Sequence, residues 1–401
     1  TDLLKKGGYE IVPFEDKADI YIINTCSVTN ESDKKSRKMI NRAKKNNSEA
    51  IIVVMGCYSQ VSSDDIEADI ILGNKDKSKI VEILNDFIRD RESKKIIYDL
   101  SSVEFEKMEI SHFDNHTRAF VKIQDGCNNY CSYCIIPYAR GNIRSKSKED
   151  VINEVNKLVD NGYKEVVLTG IHTGHYGKDK YEYNFSDLLD ELCKIDNLLR
   201  IRISSIEITE LDEEFMRVLK NNKKIVDHIH IPLQSGCDKT LKEMNRKYDT
   251  KYFLDKINEI RNIRKDISIT TDLIVGFPNE TDEDFEKTCE FVKKVNFSKI
   301  HVFPYSRRKG TKADLMNNQI SEDIKKTRVK RMLEISHELE ISYMKKYLNK
   351  DVEVLVEKYE NGYIMGHTSN YIEVKKIGKC SDVTNIVNAK LKEIDYPIMI
   401  E

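Results

Sequence analysis

The sequence predicts an α/β protein in three parts: an N-terminal doubly wound parallel α/β domain, a partial barrel of six βα units, and a small C-terminal β-barrel. Three observations carry this expectation. Over residues 1–91, continuous apolar runs alternate with polar helical stretches, as when parallel strands are covered on both faces. From Arg118 onward the alternation repeats six times, two units short of a full eight-unit barrel. Beyond residue 350 the helical pattern gives way to short alternating strands separated by turn residues.

A chain of 401 residues is too long for one ordinary core. Its 39% hydrophobic and 33% charged residues are those of a soluble globular protein, and no run approaches the roughly 18 apolar residues that span a bilayer. Nine cysteines without a secretory leader point to the reducing cytoplasm and to metal or redox use. The chain opens directly on what reads as the end of a helix, so a preceding segment is expected. Net charge is only −2, yet cations cluster in three places: residues 34–45; Arg140, Arg144, Lys146 and Lys148; and Lys325, Lys326, Arg328, Lys330 and Arg331. Each alone reads as a solvated helix face, whereas three together suit a polyanionic substrate.

In order along the chain, strands are expected at 20–24, 50–55 and 69–73, with helices over 31–45 and 77–91. Cys26 and Cys57 end the first two strands at equivalent places. Ligands of such sheets bind beyond the carboxyl ends of the strands, near helix N-termini that favour thiolates, so the two sulfurs suit one shared site. Two unrelated buried cysteines are the alternative, against which the matched positions favour a shared site. Residues 92–117 read as a linker or a pair of edge strands. The barrel is expected over 118–340, with strands at 118–124, 164–170, 199–207, 228–236, 268–278 and 299–306. Helices between them start near Glu149, Phe185, Asp212, Asp238, Lys251 and Asp282. Polar or Gly-rich motifs at the strand ends mark the catalytic rim of a barrel. A long charged helix region covers 321–349, and the final domain, 341–401, suits either an oligonucleotide-binding barrel or a structural cap.

The chemistry concentrates in Asp125-Gly126-Cys127-Asn128-Asn129-Tyr130-Cys131-Ser132-Tyr133-Cys134, which directly follows the first barrel strand. Gaps of three and two residues let one loop wrap three soft thiolates around a single inorganic centre. A closed zinc site wants four protein ligands, and no fourth Cys or His follows closely. Three thiolates on a cubane would instead leave one iron open. A zinc knuckle with a distant fourth ligand and a reactive dithiol remain as alternatives.

This loop resembles the signature of radical S-adenosylmethionine (SAM) enzymes, including the aromatic Tyr133 before the last cysteine. With Asn24-Thr25-Cys26-Ser27, Gly56-Cys57-Tyr58, Pro137-Tyr138-Ala139-Arg140-Gly141 and His230-Ile231-Pro232-Leu233-Gln234-Ser235-Gly236, the whole chain is similar to the radical SAM methylthiotransferases. Within them, Leu168-Thr169-Gly170-Ile171-His172-Thr173-Gly174 looks like the MtaB-type branch, which modifies threonylcarbamoyladenosine beside the tRNA anticodon. Other branches act on isopentenyladenosine in tRNA or on a ribosomal-protein aspartate. The resemblance implies a radical SAM barrel, a C-terminal TRAM β-barrel, SAM, an external electron donor and two [4Fe-4S] clusters. One cluster would be held by Cys127, Cys131 and Cys134. The other would be held by Cys26, Cys57 and a third cysteine lying before Thr1. By position Tyr133 and Gly170 are assigned to the SAM pocket, with Glu207, Gln234, Arg246 and Asp272 as further candidates there or, alternatively, structural groups of the barrel rim. A zinc-containing RNA-binding protein without catalysis is the alternative from another class.

Overall fold

The computed structural model describes residues 1–108 and 117–401, which divide into two compact units. One comprises Thr1–Ile110, Asp125–Arg144 and Ser306–Leu315; the other comprises Ser111–Gln124, Ser145–Tyr305 and Met316–Glu401.

The first unit is built on a parallel sheet in the order Ile20–Thr25, Ile51–Gly56, Ile70–Leu72, Lys94–Ile96. Successive side chains of a strand point to opposite faces, and both faces here are covered. Tyr21, Ile23, Ile52 and Val54 pack with Ile40 and Ala43 of the helix Asn30–Asn46. Val53, Met55, Ile70 and Leu72 pack with Ile80, Ile83, Leu84 and Phe87 of the helix Ile80–Asp90. That double burial is why the central strand reads as an unbroken apolar run. The fourth strand is an edge strand and lies in the stretch expected as a linker or a pair of edge strands. Residues 109–116 of that linker lie outside the described residues.

In the second unit, all six expected barrel strands form, as two parallel arcs. Arg118–Lys122, Glu165–Thr169 and Arg200–Ile203 make one; His228–His230, Ser268–Val275 and Lys299–Pro304 make the other. The arcs meet where Ile206 N–H donates to His230 O (3.0 Å). Several strands are shorter than expected because the rim segments bend and interrupt the ladder; Gln234, for example, sits at φ 69° and keeps only an isolated bridge to Leu273. Helix starts follow local chemistry. Ser147, Asn184, Asp212, Asp249 and Thr281 each accept a backbone N–H from the first turn of the helix they precede.

The long helix Glu322–Lys345 buries Met332 and Ile335 against the barrel core. A six-stranded sheet follows, antiparallel except where Val374 and Lys375 pair in parallel with Met399 and Ile400. Its short strand Glu393–Asp395 was not expected from the pattern. No helix among the described residues is long and apolar enough to cross a membrane.

Two of the three basic segments are only partly solvated, with Lys326, Lys330 and Arg331 exposed and the cations between or beside them buried. Arg144 and Lys146 are buried, paired with Asp125 and Glu154, and Arg140 also pairs with Asp125. Lys325 and Arg328 are likewise buried, paired with Glu322 and with Glu280 and Asp282. A buried cation keeps its charge by taking a carboxylate partner, so these residues give little free positive field. Lys34, Lys35, Arg37 and Lys38 are exposed along their helix.

Candidate functional site

Both sets of candidate cysteines lie in the first unit. Thr25 and Gly56 are Cα partners in the parallel ladder, so Cys26 and Cys57 each follow a paired position by one residue. Their surroundings differ: Cys26 is exposed and Cys57 is buried. Gly56 is what lets the chain turn from strand into the short helix Cys57–Val61. Its φ is 111°, and a Cβ there would stand 2.4 Å from Thr25 O.

The Cys26 loop is held by one arginine. Arg308 donates from Nη2 to Ser27 Oγ (2.8 Å) and to Asp33 Oδ2 (2.6 Å), and from Nη1 to Asn30 Oδ1 (2.7 Å). The same segment, Ser306–Leu315, accepts Asn30 N–H at Ser306 Oγ (2.9 Å) and donates from Ala313 N–H to Ser132 O (2.8 Å). It therefore touches the loops of both cysteine sets. Spacing patterns carried no signal for this role, because Arg308 and Asp33 lie 275 residues apart.

The three-cysteine loop is closed at its base. Cys127 N–H donates to Gly141 O (3.1 Å), Ile143 N–H to Asn128 Oδ1 (3.2 Å), and Cys134 N–H to Cys131 O (3.0 Å). Gly126 and Gly141 have φ of 77° and 73°, and a Cβ on Gly126 would stand 1.9 Å from Asn142 O. Asn129 N–H points at Cys127 Sγ (3.5 Å), a donor that favours thiolate over thiol. Three half-buried sulfurs on one closed loop, with an amide aimed at one of them, fit a thiolate-held iron–sulfur cluster. Tyr133 is half-buried in the same loop.

Beyond the loop, Arg140 ends the short helix Ile136–Arg140 and donates from Nε to Cys57 Sγ (3.1 Å). Its Nη1 lies 3.4 Å from Asp125 Oδ2, an oxygen that Arg144 Nη2 approaches to 3.1 Å. Burial by itself would lower the pKa of Arg140, but the Asp125 carboxylate and the Cys57 sulfur outweigh it and hold the guanidinium charged. The sequence marked Arg140 as one cation of a basic segment and as part of the Pro137–Gly141 motif, with nothing to link it to Cys57.

In the second unit the rim residues fall into two groups. Glu207 and Arg246 form a largely buried ion pair, and Arg246 Nε also donates to Tyr248 Oη (3.1 Å). Gln234 and Asp272 are joined through the backbone, Gln234 N–H donating to Asp272 O (2.9 Å), while Asp272 Oδ1 lies 3.4 Å from His230 Nε2. At Gly170 a Cβ would stand 3.0 Å from Gln124 Oε1, and that oxygen accepts His172 N–H (2.7 Å).

A further rim cluster was not foreseen. His172 and His175 stack at 3.6 Å, and Glu210 Oε1 lies 2.8 Å from His175 Nε2. Burial, reinforced by His175, lowers the pKa of His172 from 6.5 to about 3. Burial opposes ionisation of Glu210, but bonds from His175 and Lys178 outweigh it and bring its pKa down to about 2. Lys178 already neutralises this carboxylate, which disfavours a metal cation there.

Residues 121–292 match the Radical SAM superfamily, and residues 1–73 match a family described as Uncharacterized protein family UPF0004. The chain is 43% identical to the Threonylcarbamoyladenosine tRNA methylthiotransferase MtaB of Bacillus subtilis (strain 168), over 98% of this chain and 90% of that protein. It is 36% identical, over the same shares, to the tRNA-2-methylthio-N(6)-dimethylallyladenosine synthase of Clostridium botulinum (strain Loch Maree / Type A3). Among solved structures it is similar in fold to the radical S-adenosylmethionine methyltransferase TsrM from Kitasatospora setae. There the TM-score is 0.53 at 16% identity, covering 76% of this chain and 66% of that one.

Proposed function

This chain belongs to the radical SAM methylthiotransferases, and from that membership we propose that it methylthiolates carbon 2 of threonylcarbamoyladenosine beside the tRNA anticodon. The observation that carries the reading is the packing of both cysteine sets into one unit, where Arg140, from the segment that carries the three-cysteine loop, reaches the sulfur of Cys57. The choice of nucleoside is supported by the higher identity to the MtaB relative, 43% against 36%, over equal coverage.

Cys127, Cys131 and Cys134 would hold one [4Fe-4S] cluster, and Cys26 and Cys57 would contribute to a second. When bound, these clusters and SAM supply the one-electron chemistry and the sulfur needed to functionalise an unactivated aromatic C–H bond. The protein's own part is positioning and shielding. Gly126 and Gly141 bend the three-cysteine loop so that its sulfurs sit half-buried, and Asn129 N–H favours the thiolate of Cys127. Arg308 orders the turn that carries the exposed Cys26. On the barrel rim, Tyr248 Oη, bonded to Leu233 O (2.8 Å), links the Arg246 pair to the segment ending at Gln234. We assign Gly170, Glu207, Gln234, Arg246 and Asp272, with Tyr133, to SAM binding. The reading also includes an external electron donor and a cytoplasmic location.

Nucleoside analysis of tRNA from cells lacking the gene tests the proposal. The methylthio form of threonylcarbamoyladenosine should disappear and return with the intact gene. Its persistence, with loss of the methylthio-isopentenyl nucleoside instead, would move the enzyme to the other tRNA branch.

A further inference from the structure

We propose that Arg140 is a positioning residue for the centre held by Cys57, giving that sulfur a charged N–H···S hydrogen bond that stabilises the centre's reduced state. The inference rests on the two-cluster reading above and adds to it a residue and a role.

The geometry is specific. Arg140 Nε stands 3.1 Å from Cys57 Sγ, and the same side chain is oriented by Asp125 through Nη1 (3.4 Å). Asn74 Nδ2, which donates to Ala139 O (2.8 Å), lies 3.5 Å from the same sulfur as a second donor. Cys57 is 4% exposed, so water screens this contact little. Reduction adds negative charge to an iron–sulfur centre. A fixed cation donating to a ligand sulfur therefore favours the reduced form and raises the potential. The donor stands six residues after Cys134. The segment that carries one set of cysteines thus adjusts the electronics of the other.

A merely structural role would place Arg140 as an anchor for Asp125. Arg144 already provides that anchor, since its Nη2 lies 3.1 Å from the same carboxylate oxygen and its Nη1 hydrogen-bonds Arg140 O. Removing the Arg140 guanidinium leaves Asp125 paired and takes the donor from Cys57 alone.

The test uses the full chain with Cys127, Cys131 and Cys134 all changed to alanine, reconstituted with iron and sulfide, so that any cluster signal comes from the Cys57 centre. Potentiometric titration followed by electron paramagnetic resonance is then compared for Arg140, Arg140→Leu, Arg140→Gln and Arg140→Lys. Arg140→Leu is expected to keep its iron and sulfide, show a more negative midpoint potential and altered g-values, and be partly restored by Arg140→Lys. Should the leucine variant assemble poorly, Arg140→Gln must show the same negative shift. An unchanged midpoint in every variant that holds a cluster overturns the inference while leaving the two-cluster reading intact. No cluster at all with Arg140 present overturns that reading and the inference with it.

Discussion

At Gly56 the backbone stands at φ 111°, with Thr25 O only 2.4 Å from where a Cβ would be. Gly56→Ala combines a conformation that L-residues rarely adopt with a backbone clash, and is expected to cost roughly 2–4 kcal/mol by denaturant unfolding; a loss below about 0.5 kcal/mol would contradict this geometry. The sequence showed a glycine before Cys57 but not that the neighbouring strand Ile20–Thr25 presses on it. Rim titration is a second matter of single residues. His172 has a folded pKa of about 3 against an ordinary 6.5, so the unfolded chain takes up the proton first. Stability is therefore full above 6.5 and falls as pH drops toward 3. Glu210, held at about 2 instead of 4.5, contributes stability that is full above 4.5 and lost as pH falls through 2. His172→Gln should flatten the decline in unfolding midpoint from pH 6.5 down to about 3, leaving below 4.5 the part due to Glu210; an undiminished slope would assign that decline to other groups.

At the scale of elements, the strands and helices of both units were legible because their signals are local. Ile51–Gly56 is apolar throughout as a strand covered on both faces must be, and Asn184 and Thr281 announce their helices through capping chemistry. The docking of Ser306–Leu315 was not legible, since periodicity says nothing about which distant surface a polar segment meets. Arg308 is 6% exposed, and its partner Asp33 is also buried. Arg308→Ala leaves that carboxylate without its cation and is expected to destabilise by about 3–5 kcal/mol. The added change Asp33→Asn should recover part of the loss. Unfolding curves of the single and double variants check this, and a double variant no more stable than Arg308→Ala would rule out the buried pair as the cause.

For the molecule as a whole, the α/β class could be read from the order of patterns, and the family from a few motifs spread along the chain. What could not be read is the division of the described residues, in which Asp125–Arg144 packs with the N-terminal cysteines. The contact that reveals this, Arg140 with Cys57, spans 83 residues. Under the proposed division of labour, Cys131→Ala should abolish reductive SAM cleavage, seen as loss of 5′-deoxyadenosine. Cys57→Ala should keep cleavage and lose methylthio transfer to tRNA; retained transfer would contradict a sulfur-bearing centre there. Both variants presuppose clusters, so metal content is the most direct test. Anaerobically purified full-length protein should carry about eight irons with matching acid-labile sulfide per chain, whereas one zinc without sulfide would contradict radical chemistry at Cys127, Cys131 and Cys134.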